Sequence, residues 1–178
     1  MNTTAFLVIL ALVTVANIVF TWRFSIKARR YHGIYWFFSF ESIIVLALLC
    51  APAWFAHPFA WNQFLSWVIL FGAIPLPLYG FNALHTMGKP EDQIENTTAL
   101  VTSGIYRYIR HPLYASLVLL GTGIFLKDIT LLTTTCALVN LLAIIATAKT
   151  KKHEMLNKFS DEYARYMQRT KMFIPFIV

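Results

Sequence analysis

The chain is poor in charged residues, and acidic residues are especially few. Of its 178 residues only 13% are charged, and Asp and Glu together number 8. This leaves too few polar groups to cover the surface of a soluble globule of this length. Hydrophobic residues make up 58% of the chain, and its mean hydropathy is +0.60. The composition therefore predicts an all-α integral membrane protein with a single domain, residues 1–178.

Cysteine is also scarce, and the common nucleotide-binding motif is missing. Cys50 and Cys136 are the only two cysteines, and neither has metal-ligand spacing to other residues. We interpret both as small apolar packing residues within membrane spans. No predicted strand is followed by a GxGxxG motif, which is the sequence signature of a Rossmann dinucleotide site. The sequence therefore predicts no metal site and no Rossmann domain.

Five apolar runs predict five transmembrane helices. The hydrocarbon core of a bilayer is about 30 Å thick, and a helix needs about 20 residues to cross it. The runs that meet or approach this length are residues 3–21, 34–55, 61–84, 112–126 and 129–148. The first run follows no basic segment and has no clear cleavage site, so we interpret it as a retained helix rather than a signal peptide.

Short sequence features refine the third, fourth and fifth runs. Pro75 and Pro77 are expected to kink the third run, because proline lacks a backbone N–H and clashes with the preceding turn. The Lys127-Asp128 junction between the last two runs is short. These two helices are therefore expected to form an antiparallel hairpin, residues 112–148.

Lysine and arginine predict the orientation, because they concentrate in cytoplasmic loops. With five spans, fourteen of the fifteen fall on one side of the membrane, in residues 23–33, in the loop 85–111 and in the tail after residue 148. Only Lys127 falls on the other side. The N-terminus is therefore expected outside, and the C-terminus in the cytoplasm. The net charge of +7 then reflects a cationic face beside anionic lipid headgroups and requires no nucleic acid.

Residues 150–169 have the pattern of an amphipathic cytoplasmic helix. Apolar side chains recur at helical spacing on one face, at Met155, Leu156, Phe159, Tyr163, Tyr166 and Met167. The other face is charged, with pairs such as Glu154 and Lys158 four residues apart. Such a helix can anchor at the membrane interface or fold back over the loop 85–111, and the pattern is compatible with both.

Residues 97–114 combine hydrogen-bonding side chains with turn-forming residues. Gly104 permits a tight turn, and Pro112 suits the first turn of a helix, where its missing N–H is no loss. A helix start presents N–H groups and a positive dipole end, which favour a ligand carboxylate. The side chains expected around it are Tyr106, Arg110, His111 and Tyr114. By residue type alone, this group fits a lipid-headgroup anchor as well as a ligand site.

The same segment resembles a known family signature. Its order is Leu100-Val101-Thr102-Ser103-Gly104-Ile105-Tyr106, followed by Arg110-His111-Pro112-Leu113-Tyr114. It is similar to the LV-x-x-G-x-Y and RHP-x-Y elements of isoprenylcysteine carboxyl methyltransferases and related membrane phospholipid methyltransferases. The tail segment 159–166, FSDEYARY, resembles the same family's pattern of acidic residues followed by two tyrosines three apart. The resemblance covers residues 97–178, and before residue 97 only the helical layout agrees.

The resemblance implies a membrane methyltransferase that uses S-adenosyl-L-methionine and a lipophilic acceptor. A prenylated cysteine carboxylate is the leading acceptor. A phosphatidylethanolamine amine and a small thiol are the alternatives, and a membrane scaffold that keeps the fold without activity is the non-enzyme alternative. The family pattern places these residues at the cofactor: Thr98, Ala99, Leu100, Val101, Gly104, Tyr106, His111, Pro112, Leu113 and Tyr114.

One departure from the family affects the acceptor side of the site. The family has an arginine twelve residues before the phenylalanine that matches Phe159, and glutamates seven or eight residues before it. This chain has Thr147, Lys152 and Lys151 at those positions. The candidate replacements are Glu154 for the acidic role, through a shift in helix register, and Lys149 for the basic role. The candidate catalytic residues are Glu154 and Arg110. The alternative for Glu154 is a surface position on the amphipathic helix.

Polar side chains within the predicted spans are expected to pair between helices. Asn17 and Asn140 are predicted to supply interhelical hydrogen bonds. Glu41 is a charged group inside the second span, where it either faces a functional partner or cavity, or pairs toward the interface with Arg30.

Overall fold

The computed structural model describes residues 3–23, 33–90 and 97–174, and its regular structure in these ranges is helical. The helices are α1 (Thr3–Thr21), α2 (Gly33–Leu49), α3 (Trp61–Ala73), α4 (Pro75–Met87), α5 (Pro112–Phe125) and α6 (Leu131–Arg169). Short 3-10 turns cover Ala51–Ala53 and Gly104–Arg107. Two isolated backbone bridges are the only β-type pairings within the described ranges. The all-α fold class predicted from the composition is confirmed.

The helices have the length and polarity of membrane spans. Three stretches are long and apolar enough to cross a bilayer, namely Thr4–Thr21, Trp61–Met87 and Leu131–Arg169, while α2 and α5 are apolar but shorter. Large apolar side chains cover the outside of the helices, and Leu12 and Leu142 are 66% and 64% exposed. An apolar surface of this extent requires a lipid environment. The chain is an integral membrane protein with five apolar helical units, counting α3 and α4 as one.

The third unit is divided into two helices at the position of the prolines. α3 ends at Ala73 and α4 begins at Pro75, with Ile74 between them. Pro75 has no N–H to continue the hydrogen-bond ladder, and its ring clashes with the preceding turn. The two short helices nevertheless follow one another as a single apolar stretch of 27 residues.

The last helix is longer than the sequence analysis predicted. Residues 150–169 are helical, but they continue the last span, because α6 runs without a break through Ala148 and Thr150. The interruption comes later, at Ser160, whose φ and ψ are 43° and −119°. No glycine or proline occurs between residues 131 and 169, so the change from apolar to charged residues near 149 does not end the helix. At 1.5 Å per residue, the part of α6 before Ser160 is about 44 Å long, which is longer than the thickness of a bilayer core.

α5 lies at the centre of the bundle. It packs against α2, α3, α4 and α6, while α2 also packs against α6 and α1 packs against α2. Asn140 on α6 connects three of these helices, since it accepts a hydrogen bond from Ser39 Oγ at 2.7 Å and donates one to Leu117 O at 3.1 Å. Gly121 of α5 makes room for this amide, because a Cβ there would lie 2.2 Å from Asn140 Nδ2.

Glu41 holds α1 against α2. It accepts hydrogen bonds from Thr14 Oγ1 at 2.5 Å and from Asn17 Nδ2 at 3.0 Å. The predicted interhelical hydrogen bonds of Asn17 and Asn140 are therefore both confirmed. The alternative partner Arg30 lies outside the described residues. Within the described part, Glu41 connects two helices by hydrogen bonds from neutral side chains.

The two ends of the bundle contain different polar groups. At one end Lys127 is buried, donates to Gln63 Oε1 at 3.0 Å and lies 3.9 Å from the Trp67 ring centre. Gln63 in turn donates to Ala53 O, so it connects the loop after α2 with the loop between α5 and α6. The other end contains the described loop residues 88–90 and 97–111, together with the C-terminal tail.

Candidate functional site

The loop before α5 is fixed at its start by backbone hydrogen bonds to the end of α4. Thr98 N and Ala99 N donate to Gly88 O at 3.0 and 3.2 Å, and Thr98 Oγ1 donates to Lys89 O at 3.0 Å. Gly88 allows this approach, because a Cβ there would lie 2.4 Å from Thr97 Cγ2. The chain is therefore held close to α4 before it enters the signature segment.

Gly104 provides the turn that the sequence predicts for it. Its φ is 61°, in the region that favours glycine. The 3-10 turn Gly104–Arg107 follows, and it packs against α4. Tyr106 is buried in a cluster with Ala83, Leu84 and Val101. This packing holds the loop in place against α4.

The C-terminal tail pairs with the end of the loop. Arg110 N donates to Lys171 O at 2.8 Å, His111 N to Met172 O at 3.2 Å, and Lys171 N to Tyr108 O at 3.3 Å. The sequence analysis left open whether the C-terminal segment anchors at the interface or folds over the loop. These bonds show that the tail folds over the loop.

Arg110 holds the end of α6. Its Nη1 donates to Met167 O at 3.0 Å and also contacts Thr170 O, so the guanidinium caps carbonyl groups that have no partner within the helix. Tyr166 OH donates to Tyr106 O at 2.6 Å and adds a second link between helix and loop. A positive charge at a helix C-terminus is also favoured by the helix dipole.

These elements enclose a cleft at this end of the bundle. It contains about 550 Å³ of empty space, part of which is open to solvent. The residues that line it are Leu84, Thr97, Leu100, Val101, Tyr106, Arg110, His111, Pro112, Leu113, Tyr114, Lys151, Met155, Tyr163 and Tyr166.

His111 is a neutral aromatic part of the cleft wall. Its ring stacks on Tyr114 with centroids 5.1 Å apart and planes at 11°, and Phe173 of the tail lies at 6.3 Å. Burial, together with the nearby charges of Arg110 and Lys151, lowers the pKa of His111 to about 3. The imidazole therefore carries no charge at neutral pH.

Two tyrosines of the charged C-terminal part of α6 complete the aromatic lining. Burial raises the pKa of Tyr163 and the pKa of Tyr166, so both phenols stay protonated. The charged side chains that line the cleft are Arg110 and Lys151, and no carboxylate from the described residues lines it. The cleft is therefore aromatic and apolar, with positive charge at its edge.

The structure brings most of the predicted site residues together. Eight of them line the cleft: Leu100, Val101, Tyr106, Arg110, His111, Pro112, Leu113 and Tyr114. Thr98 and Ala99 do not line it and instead bond to the end of α4, and Gly104 acts through its turn. Glu154 is also outside the lining, where its carboxylate lies 3.0 Å from Lys151 Nζ.

Sequence reasoning missed several lining residues. They are Leu84, Thr97, Lys151, Met155, Tyr163 and Tyr166. Four of these belong to α6, and three of the four, Met155, Tyr163 and Tyr166, lie on the apolar face of its amphipathic pattern. The pattern does not show what this face of α6 contacts. In the structure it contacts the loop before α5 rather than lipid.

The comparisons with known proteins agree with this geometry. The sequence profile described as phospholipid methyltransferase matches residues 61–162 of the 178. This match extends from the start of α3 to beyond Ser160, so it includes most of the residues that line the cleft. No curated protein gives a significant match to the chain. Because the profile covers more than half of the chain, this protein belongs to the phospholipid methyltransferase family.

Proposed function

We propose that the protein transfers a methyl group from S-adenosyl-L-methionine to the carboxylate of a lipophilic, prenylcysteine-like acceptor. The observation that carries this proposal is the cleft at the start of α5, which is lined by residues of the LV-x-x-G-x-Y and RHP-x-Y elements. Membership of a membrane methyltransferase family supports the reaction class.

The residues of the cleft suit this cofactor. Backbone groups near Leu100 and Val101 can hydrogen-bond an adenine edge, and aromatic faces can approach a sulfonium. The first turn of α5 has no side-chain cap, so its N–H groups are suited to a carboxylate. When bound, the cofactor supplies an electrophilic methyl group. The chain itself contributes alignment of donor and acceptor and exclusion of water.

The protonation states of the lining residues favour an acceptor that is already ionised. His111 is a weak base, because its pKa is lowered to about 3 by burial. Tyr163 and Tyr166 keep their protons, since burial raises the pKa of each phenol. An amine must lose a proton before or during methyl transfer, whereas a carboxylate is ionised at neutral pH. Since the described lining residues include no strong base, the cleft suits a carboxylate.

A phospholipid amine is the second candidate acceptor, and the family match is the observation that favours it. Phosphatidylethanolamine resides in the same bilayer as the protein and needs no soluble carrier. A small lipophilic thiol fits the same cleft. Either acceptor requires deprotonation by solvent, because the described lining provides no strong base.

Transfer of labelled methyl groups tests the proposal. The purified protein in lipid nanodiscs is incubated with methyl-labelled S-adenosyl-L-methionine and, separately, with a prenylcysteine analogue, phosphatidylethanolamine and a lipophilic thiol. We expect base-labile methyl-ester label on the prenylcysteine analogue and a large loss of rate in Tyr106→Ala. Glu154→Ala tests the candidate catalytic role of Glu154, and we expect less than a threefold change, because this residue lies outside the lining.

Each alternative has its own outcome. Stable label on phosphatidylethanolamine alone would replace the carboxylate by an amine acceptor, and label on the thiol alone would replace it by a thiol. Cofactor binding without transfer to any acceptor would support the non-catalytic scaffold. A Glu154→Ala protein that is folded and inactive would restore Glu154 to the catalytic site.

A further inference from the structure

Lys151 differs from the other lysines of the charged C-terminal part of α6 in where its side chain lies. It lines the cleft and its side chain is 10% exposed, whereas the neighbouring Lys152 is exposed to solvent. Its Nζ lies 3.0 Å from Glu154 Oε2, one helical turn further on. Glu154 is 35% exposed and does not line the cleft. The ion pair thus has its ammonium at the cleft and its carboxylate on the solvent side.

Lys151 is a charged group of the described lining whose ammonium has donors available for a ligand. Arg110 also lines the cleft, but its Nη1 is engaged by the carbonyls of Met167 and Thr170 at the end of α6. His111 carries no charge at neutral pH. A lysine ammonium has three N–H donors, and the carboxylate of Glu154 contacts this ammonium on one side. Burying an ammonium with one partly exposed counter-ion is costly unless a ligand adds a further acceptor.

We propose that Lys151 binds a carboxylate inside the cleft. This inference rests on the proposed function, because both of its reactants contain such a group: the methionine part of the cofactor and the prenylcysteine-like acceptor. The first turn of α5 forms another part of the same lining and provides backbone N–H groups for an anion. A carboxylate between Lys151 and this turn would complete the hydrogen bonds of the ammonium.

The same charge acts against the amine acceptor. A phospholipid ammonium that enters the cleft meets the ammonium of Lys151, and none of the described lining residues provides a carboxylate to offset it. Like charges at a desolvated contact oppose binding. Lys151 therefore selects for a reactant with a negative group and against one with a positive group.

The test uses the full chain in nanodiscs and three substitutions. Lys151→Gln removes the charge at similar size, Lys151→Arg keeps the charge, and Lys152→Gln removes a neighbouring exposed charge as the matched control. Isothermal titration measures binding of S-adenosylhomocysteine and of its decarboxylated analogue, which keeps the amine and lacks only the carboxylate. A transfer assay with the prenylcysteine analogue measures KM and kcat. Thermal unfolding of each variant reports whether it is folded.

The two sources of the carboxylate give different results, and either supports the proposal. If the cofactor supplies it, Lys151→Gln weakens S-adenosylhomocysteine binding about tenfold or more and leaves binding of the decarboxylated analogue unchanged. If the acceptor supplies it, cofactor binding stays within about twofold and the KM for the prenylcysteine analogue rises about tenfold. In both cases Lys151→Arg, which keeps the charge, retains most of the affinity or KM that Lys151→Gln changes. Lys152→Gln changes neither.

Two results overturn the inference. If Lys151→Gln is folded and leaves both cofactor binding and acceptor KM within about twofold of the unmodified protein, Lys151 binds no carboxylate. The same holds if Lys152→Gln causes an equal loss, because the effect is then one of general surface charge. Failure of the unmodified protein to bind S-adenosylhomocysteine at all contradicts the proposed function itself, and this result is distinct from a selective effect at position 151.

Discussion

His111 illustrates how position rather than residue type decides the chemistry of a side chain. A histidine beside a predicted ligand site suggests a general base, because its ordinary pKa is 6.5. The structure instead buries the ring against Tyr114 and Phe173, next to the charges of Arg110 and Lys151, and its pKa is lowered to about 3. A neutral, stacked imidazole is suited to shape the cleft and not to remove a proton.

This burial predicts a pH dependence of stability. The pKa of His111 is about 6.5 in the unfolded chain and about 3 in the folded protein, so protons bind more readily to the unfolded chain. Its contribution to stability is complete above pH 6.5 and is lost as the pH falls toward 3. We expect the thermal unfolding midpoint in detergent to fall between pH 6.5 and pH 4, and less steeply in His111→Gln. Equal slopes for the two proteins would contradict this account.

The motif residues could be predicted from the sequence, while the residues opposite them could not. Tyr106 and His111 lie within a few positions of each other in a recognisable order, so local sequence is enough to group them. Lys151 and Tyr163 reach the same cleft from α6, about 40 to 60 residues later. Their contribution depends on how α6 packs against α5, which is a tertiary property. Sequence periodicity gives the face of a helix but not the partner of that face.

At the scale of elements, α6 is the main difference between expectation and structure. Its polarity changes near residue 149, and we expected a new helix there. A helix ends where its backbone hydrogen bonding is interrupted, usually at glycine or proline, and no such residue occurs in this stretch. The actual break at Ser160 has a positive φ without a glycine. Nothing in the local sequence indicates that conformation, and it redirects the part of α6 that carries Tyr163 and Tyr166.

The clamp between Arg110 and the end of α6 predicts the behaviour of the tail. Hydrogen bonds to a charged group contribute about 1.5–3 kcal/mol each, and a lysine cannot reproduce the geometry of a guanidinium. In Arg110→Lys we expect amide hydrogen exchange at Lys171 and His111, whose N–H groups donate across the pairing, to become at least about tenfold faster. S-adenosylhomocysteine binding should weaken as well, because Tyr163 and Tyr166 belong to the same segment.

The matched control for this prediction is Arg107→Lys, in the exposed 3-10 turn of the same loop. Its exchange rates in the tail should equal those of the unmodified protein. Unchanged protection of Lys171 in Arg110→Lys would show that the backbone pairing holds the tail without the clamp.

At the scale of the whole molecule, the apolar runs and the positions of lysine and arginine were enough to predict a five-unit membrane bundle. The structure separates the loops into two ends, one around Lys127 and Gln63 and the other around the cleft. Which end faces the cytoplasm follows from the charge distribution, and it remains a prediction. The central place of α5 could not be predicted, because nearly all the helices are apolar enough to occupy it.

Labelling of single cysteines tests the orientation. Cys50 and Cys136 are first replaced by alanine. A single cysteine is then introduced in place of either Phe59 or Tyr108, which are exposed residues at opposite ends of the bundle. We expect a membrane-impermeant maleimide to label Phe59→Cys in intact cells and Tyr108→Cys only after the membrane is opened. The reverse pattern would place the cleft outside and remove its access to a cytoplasmic cofactor.

The most direct measurement of the central claim is binding of S-adenosylhomocysteine to the purified, folded chain. We predict saturable binding at or below millimolar concentration, weakened at least about tenfold in His111→Ala, which removes one stacked wall of the cleft, and unchanged in Lys152→Gln. Thermal unfolding of each variant confirms that the comparison is made between folded proteins. No binding to the folded, unmodified protein at millimolar concentration, or equal binding in His111→Ala, would contradict the assignment of the cleft as the cofactor site.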